Sequence, residues 1–172
     1  MGKRKYTIEK TAGIILINQT LNKILMIKSK GGFWGFPKGH REKEDKNALD
    51  NAIREVREET GIKVEKNQII KKKKDIVYQY FFRKNSKNLK ERKNGWIKKE
   101  IILFTAVIND KTKIKKQDIE ISQFRWMKFD TAINAISDNE IKIFGKLGPI
   151  VKKYIRLIKK TKNFAIILHH YF

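Results

Sequence analysis

Arg54-Glu55-Val56-Arg57-Glu58-Glu59-Thr60-Gly61-Ile62 is a charged run with one apolar residue inside it and a glycine near its end. Leu49, Ala52, Ile53 and Val56 recur at helical spacing, so the periodicity predicts a helix over residues 47–60 with Gly61 as its C-terminal cap. At about 100° per residue, Glu55, Glu58 and Glu59 fall within about a quarter turn of one another, beside the apolar face. Carboxylates held so close repel one another, and a hard divalent cation relieves that repulsion. The plainer alternative is a solvated face on which Arg54 and Arg57 neutralise the glutamates.

Upstream, residues 11–18 and 23–28 are rich in β-branched and apolar side chains and predict a hairpin turning at 19–22. Residues 29–44 carry Gly31, Gly32, Gly35, Pro37 and Gly39, a density of breakers that predicts a loop without regular structure. Strand, glycine-rich loop and helix in this order are the arrangement of many phosphate sites. Downstream, 75–82 and 101–108 predict strands separated by an insert, 83–99, with eight basic residues and one acid. A short strand over 124–129, a short helix over 131–136 and a helix over 150–160 follow. The last of these carries Lys152, Lys153, Arg156, Lys159 and Lys160 on its polar side. Strands and helices that do not alternate predict an α+β fold, with one domain over 1–172 and its core at about 11–136.

Composition narrows the chemistry. With 172 residues and 40% hydrophobic content the chain has enough apolar mass for a real core, and no run is long enough for a membrane helix. The first ten residues are charged and lack the apolar stretch of a secretory signal, so an intracellular, cytoplasmic protein is expected. There is no cysteine, which excludes disulfides and thiolate metal sites, and of three histidines His169 and His170 sit near the end. A metal would therefore rest on oxygen ligands. The net charge of +23 points to a polyanionic partner. A genome rich in A and T also inflates Lys, Asn and Ile, yet it would raise Glu too, and acids are scarce here.

Gly39 followed by the 54–62 run resembles the Nudix box, a glycine, a glutamate and then R-E-U-x-E-E-x-G-U with U apolar. The resemblance implies an α/β/α sandwich with a mixed sheet and a catalytic loop-helix, and Mg²⁺ or Mn²⁺ bound by Glu55, Glu58 and Glu59. It also implies attack of water on a phosphorus of a nucleotide-bearing diphosphate. Arg54 would orient a glutamate, Gly39 would offer its carbonyl to the metal, and one of the glutamates would serve as base. Gly39 and Arg54 stand one residue further apart than in the family pattern, which leaves Glu42, Glu44 and Asp45 as candidates for the first acidic position. A fourth acid from the loop before the Trp126 strand is implied as well, with Glu120 at the matching spacing and Asp118 as its substitute.

Trp34-Gly35-Phe36-Pro37-Lys38-Gly39 resembles the mRNA-decapping Nudix enzymes and, with His40 added, the asymmetrical diadenosine tetraphosphate hydrolases. Lys38 is expected to contact phosphate, while Trp34 and Phe36 are either core plugs or stacking surfaces for a base. A small dinucleotide needs few basic contacts, whereas an RNA chain needs an extended positive track. The insert 83–99, the run 71–74 and the helix 150–160 favour hydrolysis at an RNA 5′ end over a dinucleoside polyphosphate. A third reading is a catalytically silent RNA-binding module, and the retained Glu55, Glu58 and Glu59 argue against it.

Overall fold

The computed structural model describes residues 7–18, 21, 23–70, 76–83, 96–108, 114, 120–128, 130–132 and 134–136. Its strands are β1 (Thr7–Asn18), β2 (Lys23–Ser29), β3 (Trp34–Gly35), β4 (Lys38–His40), β5 (Ile76–Arg83), β6 (Trp96–Ile108) and β7 (Ile121–Met127). They form one mixed sheet in the order β3-β2-β1-β6-β5, with β4 added to β1 and β7 to β2. β1 and β6 run parallel from Thr7 opposite Ile97 to Asn18 opposite Ile108, and the other pairings are antiparallel.

The alternation along β1 builds two cores. Ile15 and Ile17 join Ile24, Met26, Phe36, Ile101, Leu103 and Met127 on one face. Ala12, Ile14 and Leu16 join Leu25, Ala106 and Ile108 on the other. Helix α1 (Ala48–Thr60) covers the second face through Ala52 and Val56, both fully buried. Residues 130–132 and 134–136 are helical, and Ala132 and Ile136 cover the first. A sheet buried on both faces explains why β1 reads as a continuous apolar run, and it gives the expected α/β/α sandwich. Among the described residues no helix is long and apolar enough to cross a membrane.

Local chemistry fixes the ends of α1. The Asn47 side chain accepts from the N–H groups of Leu49 and Asp50 at 2.9 and 3.0 Å. Gly61, at φ 70°, donates its N–H to the Arg57 carbonyl at 2.8 Å.

The expectation of an irregular 29–44 segment is corrected, since β3 and β4 lie inside it. Glycines lack side chains to pack, yet Lys38, Gly39 and His40 find their partners in Gly13, Ala12 and Thr11. A Cβ at Gly13 would overlap the Pro37 carbonyl and Lys38, so a glycine there is what lets β4 lie against β1. β1 and β6 also begin earlier than their apolar content suggests, at Thr7 and Trp96, because Thr7 opens the parallel ladder opposite Ile97 and Trp96 pairs with Arg83 of β5. β7 likewise starts at Ile121, ahead of the expected 124, where pairing with β2 begins. The rest of the basic insert, 84–95, the run 71–74, Asp118 and the 150–160 helix lie outside the described residues.

Candidate active site

Helix α1 and the β4 loop bring the predicted acids to one edge of the sandwich, but not as three equivalent ligands. Glu59 is buried, at 6% exposure, and the backbone N–H of Lys38 donates to its Oε2 at 2.8 Å. Glu58 is exposed and accepts from Arg54 Nη1 at 2.8 Å. The Glu55 carboxylate lies between them in burial and stands 3.0 Å from the same Arg54 nitrogen. A Cβ on Gly39 would overlap the Glu55 carboxylate, so the backbone of β4 closes on this acid and any larger residue would push it away.

Arg54 is the hub of the site. Its Nε and Nη2 grip Asp45 at 3.1 and 3.0 Å, and Nη2 also donates to the His40 carbonyl at 2.8 Å. Asp45 is buried at 6% exposure and additionally accepts from the Glu42 N–H at 2.8 Å. Arg41 holds the turn by donating to the carbonyls of Asp45 and Lys46, both at 3.0 Å. Of the three acids open in the sequence, Asp45 therefore makes the forked pair with Arg54, and Glu42 stands at 3.6 Å from it. Neither Arg41 nor Asn51, whose side chain donates to the His40 carbonyl at 3.2 Å, was singled out from the sequence.

The electrostatics follow from this geometry. The Arg54 guanidinium holds Asp45 below the usual carboxylate range. Burial raises Glu55, against the pull of Arg54. Burial likewise pushes Glu59 up to about 8, against the opposing charge and N–H of Lys38. The charge of Glu120 adds to the rise at both Glu55 and Glu59, so this loop acid stands within electrostatic reach of the helix acids. Phe36 is buried in the core at 4% exposure, which fills the core role and leaves no open ring face for a base. Trp34 is half-buried, with Lys28 Nζ 5.8 Å and the Arg125 guanidinium carbon 5.6 Å from its ring centroid.

The NUDIX domain family model matches residues 7–144. The chain belongs to the Nudix hydrolase family. It is 28% identical over 150 residues to Nudix hydrolase 6 of Arabidopsis thaliana, covering 84% of this chain and 47% of that protein. It is 29% identical over 119 residues to mRNA-decapping enzyme subunit 2 of the same plant, covering 69% of this chain and 27% of that protein. The chain thus spans less than half the length of these curated relatives. The fold is also that of the C. elegans Ap4A hydrolase binary complex, with a TM-score of 0.58 and 18% identity, covering 88% of this chain and 98% of that one.

Nudix hydrolases generally use divalent metal ions. The donors here fit such an ion chemically, being carboxylate oxygens with no competing thiolate. Among the described residues no three acidic or histidine side chains already stand as a closed ligand set, and Arg54 engages both Glu55 and Glu58.

The raised Glu59 has a measurable consequence. Between the ordinary value of 4.5 and about 8 the folded chain keeps a proton that the unfolded chain releases, so stability in chelator should fall as pH rises through that window. Glu59→Gln should flatten the slope, as read by melting temperatures at about pH 5 and about pH 8.5. An equal slope in the variant would show that Glu59 is not its source.

Proposed function

We propose that this chain is a metal-dependent hydrolase of a phosphoanhydride bond in a nucleoside diphosphate-linked substrate, acting at an RNA 5′ end. The observation that carries the hydrolytic reading is the placement of buried Glu59 and half-buried Glu55 beside Gly39 and Lys38, with Glu120 close enough to act on both. Uncompensated, these acids oppose one another in so basic a chain, and a catalytically silent scaffold gives no reason to keep them together.

In the proposed reaction a water oxygen forms a bond to phosphorus, the anhydride P–O bond breaks, and the leaving phosphate takes the electron pair. The water's proton passes to a carboxylate among Glu55, Glu58, Glu59 and Glu120. When bound by those acids and the Gly39 carbonyl, Mg²⁺ or Mn²⁺ supplies neutralisation of phosphate charge and a lowered water pKa. Lys38 adds a positive charge within electrostatic reach of Glu59 for the substrate phosphates, and Trp34 offers its partly open ring to a base. Arg54 keeps Asp45, Glu55 and Glu58 in register.

Support for RNA comes from the +23 charge, the basic stretches at 83–99 and 150–160, and the likeness to a relative named as an mRNA-decapping subunit. On this reading those stretches are additions to a single Nudix domain that spans the chain. Binding of a capped RNA of about twenty nucleotides should weaken steeply with salt, with a log-log slope of about −0.7 per phosphate contacted. Reversing Lys152, Arg156 and Lys159 to Glu should flatten that slope and impair hydrolysis of the RNA, leaving diadenosine tetraphosphate turnover nearly unchanged. If the reversals change neither, and RNA is cut no better than the dinucleotide, the substrate is a dinucleoside polyphosphate.

A further inference from the structure

Glu120 lies just before β7, and its backbone is anchored to the loop that follows β2. The Lys30 N–H donates to the Glu120 carbonyl at 2.9 Å. Two residues on, the Ser122 hydroxyl stands 3.0 Å from the Lys28 carbonyl and 3.1 Å from the Ser29 carbonyl. Having a single proton, it donates to the two as one shared bond.

This contact falls where the sheet is irregular. Lys28 pairs with Gln123 but Ser29 pairs with Ile121, so the register shifts between them and Ser122 is the extra residue. A bulge leaves carbonyls out of the regular ladder and turns the neighbouring side chains away from strand alternation. Here the Ser122 hydroxyl, donating to the Lys28 and Ser29 carbonyls, ties the extra residue back to β2. The other side of the anchor is also firm: the Ser29 N–H donates to the Phe33 carbonyl and the Gly32 N–H to the Ser29 carbonyl, both at 2.9 Å, with Gly32 at φ 86°.

We propose that Ser122 is a positioning residue for hydrolysis, its hydroxyl fixing the β2–β7 bulge so that Glu120 is presented to Glu55 and Glu59. This rests on the hydrolase reading above and on Glu120 serving the reaction. Ser122 itself touches no reacting atom; it acts only through Glu120. A residue in such a supporting role is worth about 10-fold to 100-fold in activity, without being needed for the fold.

The test is a double-mutant cycle on the full chain with Mn²⁺, using capped RNA and diadenosine tetraphosphate side by side. Ser122→Ala should lower kcat about 10-fold with little change in KM or melting temperature, and Ser122→Thr, which keeps the hydroxyl, should restore it. In a Glu120→Gln background, Ser122→Ala should cost nothing further. Additive losses, or a Thr variant as poor as the Ala one, would overturn the proposal while leaving the hydrolase intact. Normal turnover by Glu120→Gln would overturn it too, since there would be no acid to position. A wild-type protein inert on both substrates would remove the hydrolase reading along with it.

Discussion

Glu59→Gln is expected to lower hydrolysis on the order of 100-fold or more while the protein stays folded. The separation of effects follows from the burial of this one side chain. At 6% exposure Glu59 sits against the Lys38 N–H, 2.8 Å from its Oε2, and the amide oxygen of glutamine accepts the same bond in the same volume. What the variant lacks is the charge that the proposed reaction draws on. Without metal the wild-type group holds a proton up to about pH 8, so the variant resembles the resting protein structurally and differs only where the carboxylate must ionise. Glu58→Gln should also fall on the order of 100-fold. Its side chain is more open to solvent and paired with Arg54, so its folding cost should be smaller still. Turnover assays at saturating Mn²⁺ with a melting curve on each variant measure both effects. Near-normal rates in both would remove these acids from the reaction.

Arg54→Ala is expected to lower stability by up to about 3 to 5 kcal/mol, because it strands a largely buried charge. Asp45 is only 6% exposed and receives two bonds from the guanidinium, so its removal leaves the carboxylate with the Glu42 N–H. The same step exposes Glu42, Glu55 and Glu58 to one another without the shared cation. Arg54→Lys should recover little, since an ammonium cannot reproduce the planar fork. The sign with pH follows from Asp45, whose carboxyl Arg54 holds below its ordinary 3.8. The wild-type advantage is complete above that value and shrinks as acid protonates Asp45. Urea unfolding at about pH 7 and about pH 3 reads the difference. An equal deficit at both pH values would show that the Asp45 pair is not what Arg54 stabilises.

The legible parts of this molecule were those governed by local rules. Helix α1 announced itself through the apolar spacing of Leu49, Ala52 and Val56 and through Gly61, each in its expected place, while Asn47, expected as the first helical residue, is instead the extended N-cap. β3 and β4 were hidden because they are two and three residues long and depend on partners far along the chain. Gly39 read as a breaker, yet the space it leaves is needed by a glutamate from the helix. The extra residue before Arg54 blurred the first acidic position, and the burial of Asp45 and its forked pair with Arg54 set it apart from Glu42 and Glu44. Glu58 and Glu59 are chain neighbours whose fates diverge, one in solvent and one under the β4 loop. Helical periodicity placed both on a single ridge, because it locates a face but not what lies over it. Trp34 and Phe36 are alike in composition terms, and their different burial is set by how β3 and the core meet.

In the proposed reaction, water cleaves a phosphoanhydride at this cluster of acids with help from a divalent metal. Purified protein incubated in ¹⁸O-water with Mn²⁺ and, side by side, capped RNA, triphosphate RNA and diadenosine tetraphosphate tests it directly. The expected result is cleavage of an RNA 5′ end, one ¹⁸O atom in a phosphate product, and loss of the reaction on chelation or in Glu59→Gln. No cleavage of any of the three with metal present, or cleavage that Glu59→Gln leaves unchanged, would contradict it.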